Sequence, residues 1–335
     1  MGIDLGTHAT RLAVMAQDRV VLVADTGGET QHASVVSFLP DDSVVVGNAA
    51  RSLLYSAPDT TVFGTKRLLG RFFFSEEVKR ARLKLPFKLV EGPGGVVEIA
   101  VRERNYGVPE VTALLLRDLR LLAETSLGGV VDRAVITVPA HFQAQQRDSV
   151  RRAVELAGFA ALDILEEPTA AALAVGLQGE GAKVAIFEMG GTSTSVTVAE
   201  LSGGGVRVLS NARDPYLGGE DLDARMVGWL AEAFQQRHGV DLRAQPAALA
   251  RLTAAAEHAK KVLSTQEQAH LQVPLIHTEA TGAALDLDAT VTRGAWFPLL
   301  RELLQRTFKL CDEALRSAQL IVANVDHVLL VGGVM

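Results

Sequence analysis

Residues 184–198 read VAIFEMGGTSTSVTV. Val184 to Phe187 is apolar, Gly190–Gly191 is a tight glycine turn, and the rest is rich in β-branched residues and hydroxyls. Two strands joined by a short glycine turn predict a hairpin. A turn with few side chains can aim its backbone N–H groups at an anion such as a phosphate. Glu188 places an acid at its mouth.

Residues 2–14, GIDLGTHATRLAV, repeat the pattern. Asp4 falls where Glu188 does, Gly6 where Gly190 does, and Thr7 close to Gly191 and Thr192. Two copies of strand, acid, glycine turn and strand predict two similar lobes facing each other. A nucleotide would lie between them, with one hairpin on each side of its phosphates. Each acid could hold Mg²⁺ through water, because Mg²⁺ takes oxygen ligands and keeps several of its waters.

Six further stretches make the resemblance specific. VFGTKRLLG (62–70), AVITVPAHF (134–142), ILEEPTAAALAVGL (164–177), YLGGEDLDARMV (216–227) and AEHAKKVLS (256–264) run in order, and HVLLVGG (327–333) closes the chain. With the first hairpin, they resemble the ATPase domain of the Hsp70 (DnaK-like) heat-shock chaperone family, over nearly the whole chain.

The resemblance implies an α/β chain with the actin-like ATPase fold, a ribonuclease H-like duplication. Each lobe has a mixed β-sheet flanked by helices. Lobe I would span 1–177, with a smaller subdomain at about 35–107. Lobe II would span 178–335, with a smaller subdomain at about 218–295. The implied cofactors are ATP/ADP and Mg²⁺. Lys66 would reach the γ-phosphate and the attacking water, and Glu167 would assist that water. Asp4 and Glu188 would hold the waters of Mg²⁺, and Ser193 keeps the hydroxyl of the second hairpin. Gly6, Thr7, His8, Gly190, Gly191 and Thr192 would line the phosphates, joined by backbone amides of Gly218, Gly219 and Glu220. Glu257, Lys260, Lys261 and Ser264 share one helix face, and the family reading gives that face to the adenosine, with Gly332 and Gly333 beyond it. Taken without the resemblance, Lys66 reads as a solvated lysine and Glu167 as an acid favourable at a helix N-terminus. The 257–264 face likewise reads as a solvated surface with an internal Glu–Lys pair.

Departures from the family pattern bear on rate. Glu188 stands where the family has Asp, Thr192 where it has a third glycine, Ser193 where it has Thr, Ser195 where it has Asp, and His8 where it has Thr. A Cβ at Thr192 disfavours positive φ, and misplacing a reacting group by about 1 Å can cost about 100-fold. These changes predict slow hydrolysis. They also keep open a nucleotide-binding regulatory module with weak turnover. A sugar kinase or a filament former on the same fold is a weaker match, since no acceptor-site base is evident.

Composition bounds the rest. The 335 residues are 48% hydrophobic and 21% charged, which suits sizeable cores. A net charge of −6 and the lack of any basic run argue against nucleic acid. No apolar run is long enough to span a membrane, and the start at MGIDLG passes straight into a strand, so a cytoplasmic setting is expected. The single Cys311 excludes an internal disulfide and reads as a buried, inert thiol on a helix. The family continues past the second glycine of HVLLVGG into more of the ATPase core and a peptide-binding domain. A co-chaperone and a nucleotide-exchange factor are therefore the expected partners, with unfolded clients bound only through a domain absent here.

Along the chain, strands are expected at 2–6, 10–15, 19–24 and 161–166, with turns and short strands over 26–60 and 85–107. Helices are expected from Pro109, at 143–157, at about 247–265 and at 296–318. Residues 134–139 read as a strand buried on both faces, and residues 210–221 as a loop.

Overall fold

In the computed structural model every residue from 1 to 335 is described except Gln178, Gly204, Ala280, Thr281 and Met335. Gln178, expected to open the second lobe, thus lies outside the described residues. The chain divides into two compact units, one of residues 1–178 with 203–206, the other of residues 179–202 with 207–335.

The first unit is built on the N-terminal hairpin. Gly2–Asp4 pairs antiparallel with Ala9–Ala16, Asp4 opposite Arg11. In Ala9–Ala16 every second residue turns inward, and Thr10, Leu12 and Val14 are buried. Arg133–Val138 adds parallel to Gly2–Asp4, with Thr137 opposite Asp4, and Ala161–Glu166 adds parallel beyond it. Parallel neighbours need a crossover, which helix Ala144–Leu156 supplies. The apolar stripe of helix Val108–Leu127 (Val111, Leu115, Leu116, Leu119) fills this unit's core with Ile3, Leu12 and Ile136.

Residues 134–139 depart from expectation. Ala134, Ile136 and Val138 are buried, but Val135 is 39% exposed. The strand is interior to its sheet, yet the burial alternates, so helices of its own unit cover only one of its faces. Small sheets occupy 35–63 and 88–107. Two short helices escaped the sequence reading, Leu53–Ser56 and Glu76–Arg82.

In the second unit Lys183–Met189 pairs antiparallel with Thr194–Ser202, and His327–Val331 lies parallel on its other side. Gly205–Asp214, which belongs to this unit from Arg207 onward, forms the far strand. Residues 210–221 are therefore not one loop. The strand runs to Asp214 and helix Gly219–His238 begins five residues later, because sheet pairing and helix start consume polar residues that look like a loop in isolation. Helix Pro246–Leu263, the long hairpin Gln268–Thr278/Ala284–Thr292 and helix Arg293–Ser317 complete the unit. Its core is separate, centred on Met226, Leu230, Leu252, Ala256, Leu271 and Val291. Cys311 lies half-buried on the last helix, and burial pushes its thiol pKa up, away from reactive thiolate. Among the described residues no helix is long and apolar enough to cross a membrane.

Candidate functional site

In the first unit the glycine turn has no room for a side chain. A Cβ on Gly6 would lie 2.0 Å from the carbonyl oxygen of Ala9. The turn is braced by Ser34, a residue the sequence reading missed. Its Oγ donates to the Gly6 carbonyl (2.8 Å), and its N–H donates to the carbonyl of His8 (2.8 Å). The His8 side chain is exposed. Asp4 stands at the open end of its strand, half-exposed. Thr137 Oγ1 donates to its Oδ1 at 3.2 Å, and Arg11 Nη1 is 3.9 Å from Oδ2. Thr7 faces the next element, its Cγ2 3.9 Å from where a Cβ on Gly64 would be. Gly64 opens the tight 3₁₀ turn Thr65–Arg67 that carries Lys66.

Lys66 Nζ donates to Glu167 Oε1 at 2.5 Å. The two residues are 101 positions apart, and their side chains are 13% and 12% exposed. Glu167 is the first residue of helix Glu167–Val175, so its charge also sits at the favourable helix end. Its neighbour Glu166 is held by Arg147 at 2.7 Å. The solvated-lysine reading fails here, since the Lys66 side chain is largely covered and paired with a carboxylate.

In the second unit Glu188 lies opposite Ser195, whose Oγ donates to Glu188 Oε2 at 3.4 Å. The turn closes with the Gly190 N–H donating to the Ser193 carbonyl (3.0 Å). Thr192 is buried and does not take a left-handed backbone angle. The expected cost of its Cβ therefore does not arise, because this turn does not ask for positive φ at 192. Among the described residues the N–H groups of Gly191, Thr192 and Ser193 take no backbone partner. They are the donors this turn can offer an anion.

The Gly218–Glu220 segment is used differently from the expectation. Its N–H groups are committed: Gly218 to Asp221 Oδ2 (2.9 Å), Gly219 to the Gly190 carbonyl (3.0 Å), Glu220 to the Gly191 carbonyl (2.8 Å). The segment clamps the turn from behind instead of presenting amides. A Cβ on Gly219 would meet Val334 Cγ2 at 2.9 Å, Lys260 Nζ at 3.2 Å and Gly191 Cα at 3.6 Å. One glycine thus touches three stretches the sequence singled out separately. Past Gly332 and Gly333 the chain folds back, and the Val334 N–H donates to the Met189 carbonyl at 3.3 Å.

The helix face expected to meet adenosine is divided. Glu257 pairs with Lys261 (2.7 Å) toward solvent, and Ser264 Oγ donates to the Lys261 carbonyl (2.6 Å). Lys260 points away from that pair, to Asp223 and the Gly219 carbonyl. An open pocket of about 340 Å³ lies between Lys260, Leu263 and Ser264 on one helix and Arg293, Trp296 and Phe297 on the next. Arg293 holds the helices together by donating to the Leu263 and Ser264 carbonyls. Ser34 and Arg293 lie outside the quoted motifs and Thr137 and Asp223 lie unremarked within 134–142 and 216–227; all four are single polar residues whose partners are 24 or more positions away.

Among the described residues no three His, Cys, Asp or Glu side chains are gathered as a chelating group. Single carboxylates in separate turns suit Mg²⁺ held through water better than an all-protein cage.

A profile of the family described as Hsp70 protein matches residues 1–335. Curated relatives include the chaperone protein DnaK from each of two strains of Thermus thermophilus, both 40% identical over 335 residues, covering 99% of this chain and 54% of the relative. The chaperone protein DnaK of Deinococcus deserti is 40% identical over 99% of this chain and 53% of its own length. The chain spans about half the length of the curated relatives it matches. It belongs to the Hsp70 family, and its mixed sheets and helices are the actin-like α/β fold of that family.

Proposed function

We propose that the chain is a Mg²⁺-dependent ATP-binding and ATP-hydrolysing domain of an Hsp70-type chaperone. The observation that carries this reading is the covered Lys66–Glu167 pair, with Lys66 on the 3₁₀ turn whose Gly64 lies against Thr7. A cation and a carboxylate locked together at a glycine turn can place positive charge on a transferring phosphoryl group and orient water. Lys66 would neutralise charge developing on the γ-phosphate, and Glu167 would accept from, and so aim, the attacking water. Asp4 and Glu188 would hold the waters of Mg²⁺, an ion that supplies Lewis-acid charge to the phosphates when bound. Turn amides 191–193 would line the phosphates, with Ser193 adding a hydroxyl. His8 and Gly6 would flank them from the first turn. Glu257, Lys260, Lys261 and Ser264, with Gly332 and Gly333, would form the nucleoside end. The nucleotide state would set closure of the two units. A co-chaperone and an exchange factor are the proposed partners, in the cytoplasm, and no client contact is assigned to this chain.

Single-turnover hydrolysis of Mg-ATP tests the reading. Slow release of phosphate from a tight complex is expected. A chain that binds no Mg-ATP would overturn it.

A second reading, a regulatory module that binds but scarcely hydrolyses, draws on the Glu188–Ser195 contact, which turns the longer acid toward its own hairpin. Glu188→Asp separates the two. The ATPase reading expects single-turnover rates within about threefold of the parent, because Glu188 is then the working carboxylate. The regulatory reading expects a gain of about tenfold or more, on the scale of a reacting group restored to its place.

A further inference from the structure

Lys260 reaches across from helix Pro246–Leu263 to the first turn of helix Gly219–His238. Its Nζ lies 3.1 Å from the Gly219 carbonyl and 2.8 Å from each Asp223 carboxylate oxygen. The Oδ2 contact has hydrogen-bond geometry, while Oδ1 takes no hydrogen bond from any described residue. The two side chains are 18% and 12% exposed. Gly219 permits the approach, since any Cβ there would crowd the ammonium. Gly219 in turn donates its N–H to the Gly190 carbonyl of the glycine turn. A continuous path therefore runs Asp223, Lys260, Gly219, Gly190.

We propose that Asp223 is a positioning residue for nucleotide binding: by holding the Lys260 ammonium on the Gly219 carbonyl, it locks the nucleoside-end helix to the phosphate turn. The inference rests on the ATP-binding reading above and names a residue that reading does not use. Removing one member of a covered ion pair leaves the other charge without compensation, so the lock fails as a unit. Side chains that act through one another give non-additive losses. Burial holds the Asp223 carboxyl above the ordinary carboxylate range, with Lys260 pulling it back down and the more distant Glu257 and Lys261 acting in opposite senses. As pH falls through that raised value the carboxylate is neutralised, Lys260 loses its partner, and binding weakens.

The test is calorimetric titration with Mg-ADP of the parent chain, Asp223→Asn, Lys260→Met and the double variant, from pH 4, at the ordinary carboxylate range, to pH 8. Asp223→Asn is expected to weaken binding about tenfold or more. Lys260→Met in the Asp223→Asn background should add less than about twofold. The acid-side loss of affinity expected of the parent should be absent in Asp223→Asn. A purely structural role would lower the melting temperature but leave the pH profile unchanged and the two losses multiplicative, and that result overturns the proposal. Should Asp223→Asn fail to fold, Asp223→Glu, which keeps the charge, must restore most of the affinity together with its pH dependence. Affinity restored without that dependence also overturns it. A parent chain that binds Mg-ADP alongside an Asp223→Asn variant of equal affinity sinks this inference alone. A parent chain that does not bind sinks the ATP reading, and this inference with it.

Discussion

Lys66→Ala lowers single-turnover ATP hydrolysis by about 100-fold or more, the scale seen when one preorganised charge is removed from a developing anion. Affinity for ADP, which lacks the γ-phosphate, changes by less than about tenfold. The expectation follows from where the ammonium is held, 2.5 Å from Glu167 in a position with little water. Truncation does two things. It deletes the charge proposed to meet the γ-phosphate, and it leaves the Glu167 carboxylate partly buried without its cation. The second effect costs stability of about 1–3 kcal/mol, visible as a lower melting temperature. Glu167→Gln keeps the shape and removes the charge. If the pair works as a unit, the double variant is no slower than the worse single one. Hydrolysis by Lys66→Ala within about threefold of the parent would remove Lys66 from the mechanism.

Gly218→Ala disrupts the second unit's site by crowding alone. Gly218 has an extended backbone, with φ −160°, that any residue can adopt, so the cost is not backbone strain. It is space. A Cβ would lie 2.5 Å from the Thr192 nitrogen and 2.6 Å from the Gly191 carbon and oxygen. All three are main-chain atoms that cannot swing aside. The helix start must withdraw from the hairpin, and the Gly219–Gly190 and Glu220–Gly191 bonds stretch with it. Overpacking of this kind costs about 1–3 kcal/mol. The displaced turn should weaken ADP binding by about 100-fold. Gly228→Ala is the control, because Gly228 lies inside the same helix with nothing within 4 Å of its Cβ position. It should hold or raise the melting temperature, by the helix preference for Ala over Gly. Calorimetric melting and ADP titration of both variants check this. A Gly218→Ala chain that melts and binds like the parent would mean the clamp is dispensable.

Local pattern was legible wherever one element explains itself. The strands on either side of Gly190–Gly191, the strand at 161–166 and the helix that ends before Gly158 follow from periodicity and punctuation. Positions 210–214 were misread because a run of polar residues looks like a loop until a neighbouring strand supplies its hydrogen bonds. The strand at 133–138 was misread for the opposite reason, since apolar content does not say how many faces of a sheet are covered. Helix Glu76–Arg82, only 7 residues long, offers too little periodicity to stand out.

What the sequence determined by itself is the placing of glycines, acids and hydroxyls in two similar turns, the order of the motifs, and with them the family. These are local facts, set by backbone sterics at each turn and by the spacing of apolar residues. The tertiary structure alone decided which groups are spent on one another. It joined Lys66 to Glu167 across 101 residues, turned Lys260 from the Glu257 pair to Asp223, and committed the Gly219 and Glu220 amides to the hairpin behind them. A long side chain or a backbone N–H takes whichever partner packing brings within about 3 Å. Spacing along the chain carries no record of that distance.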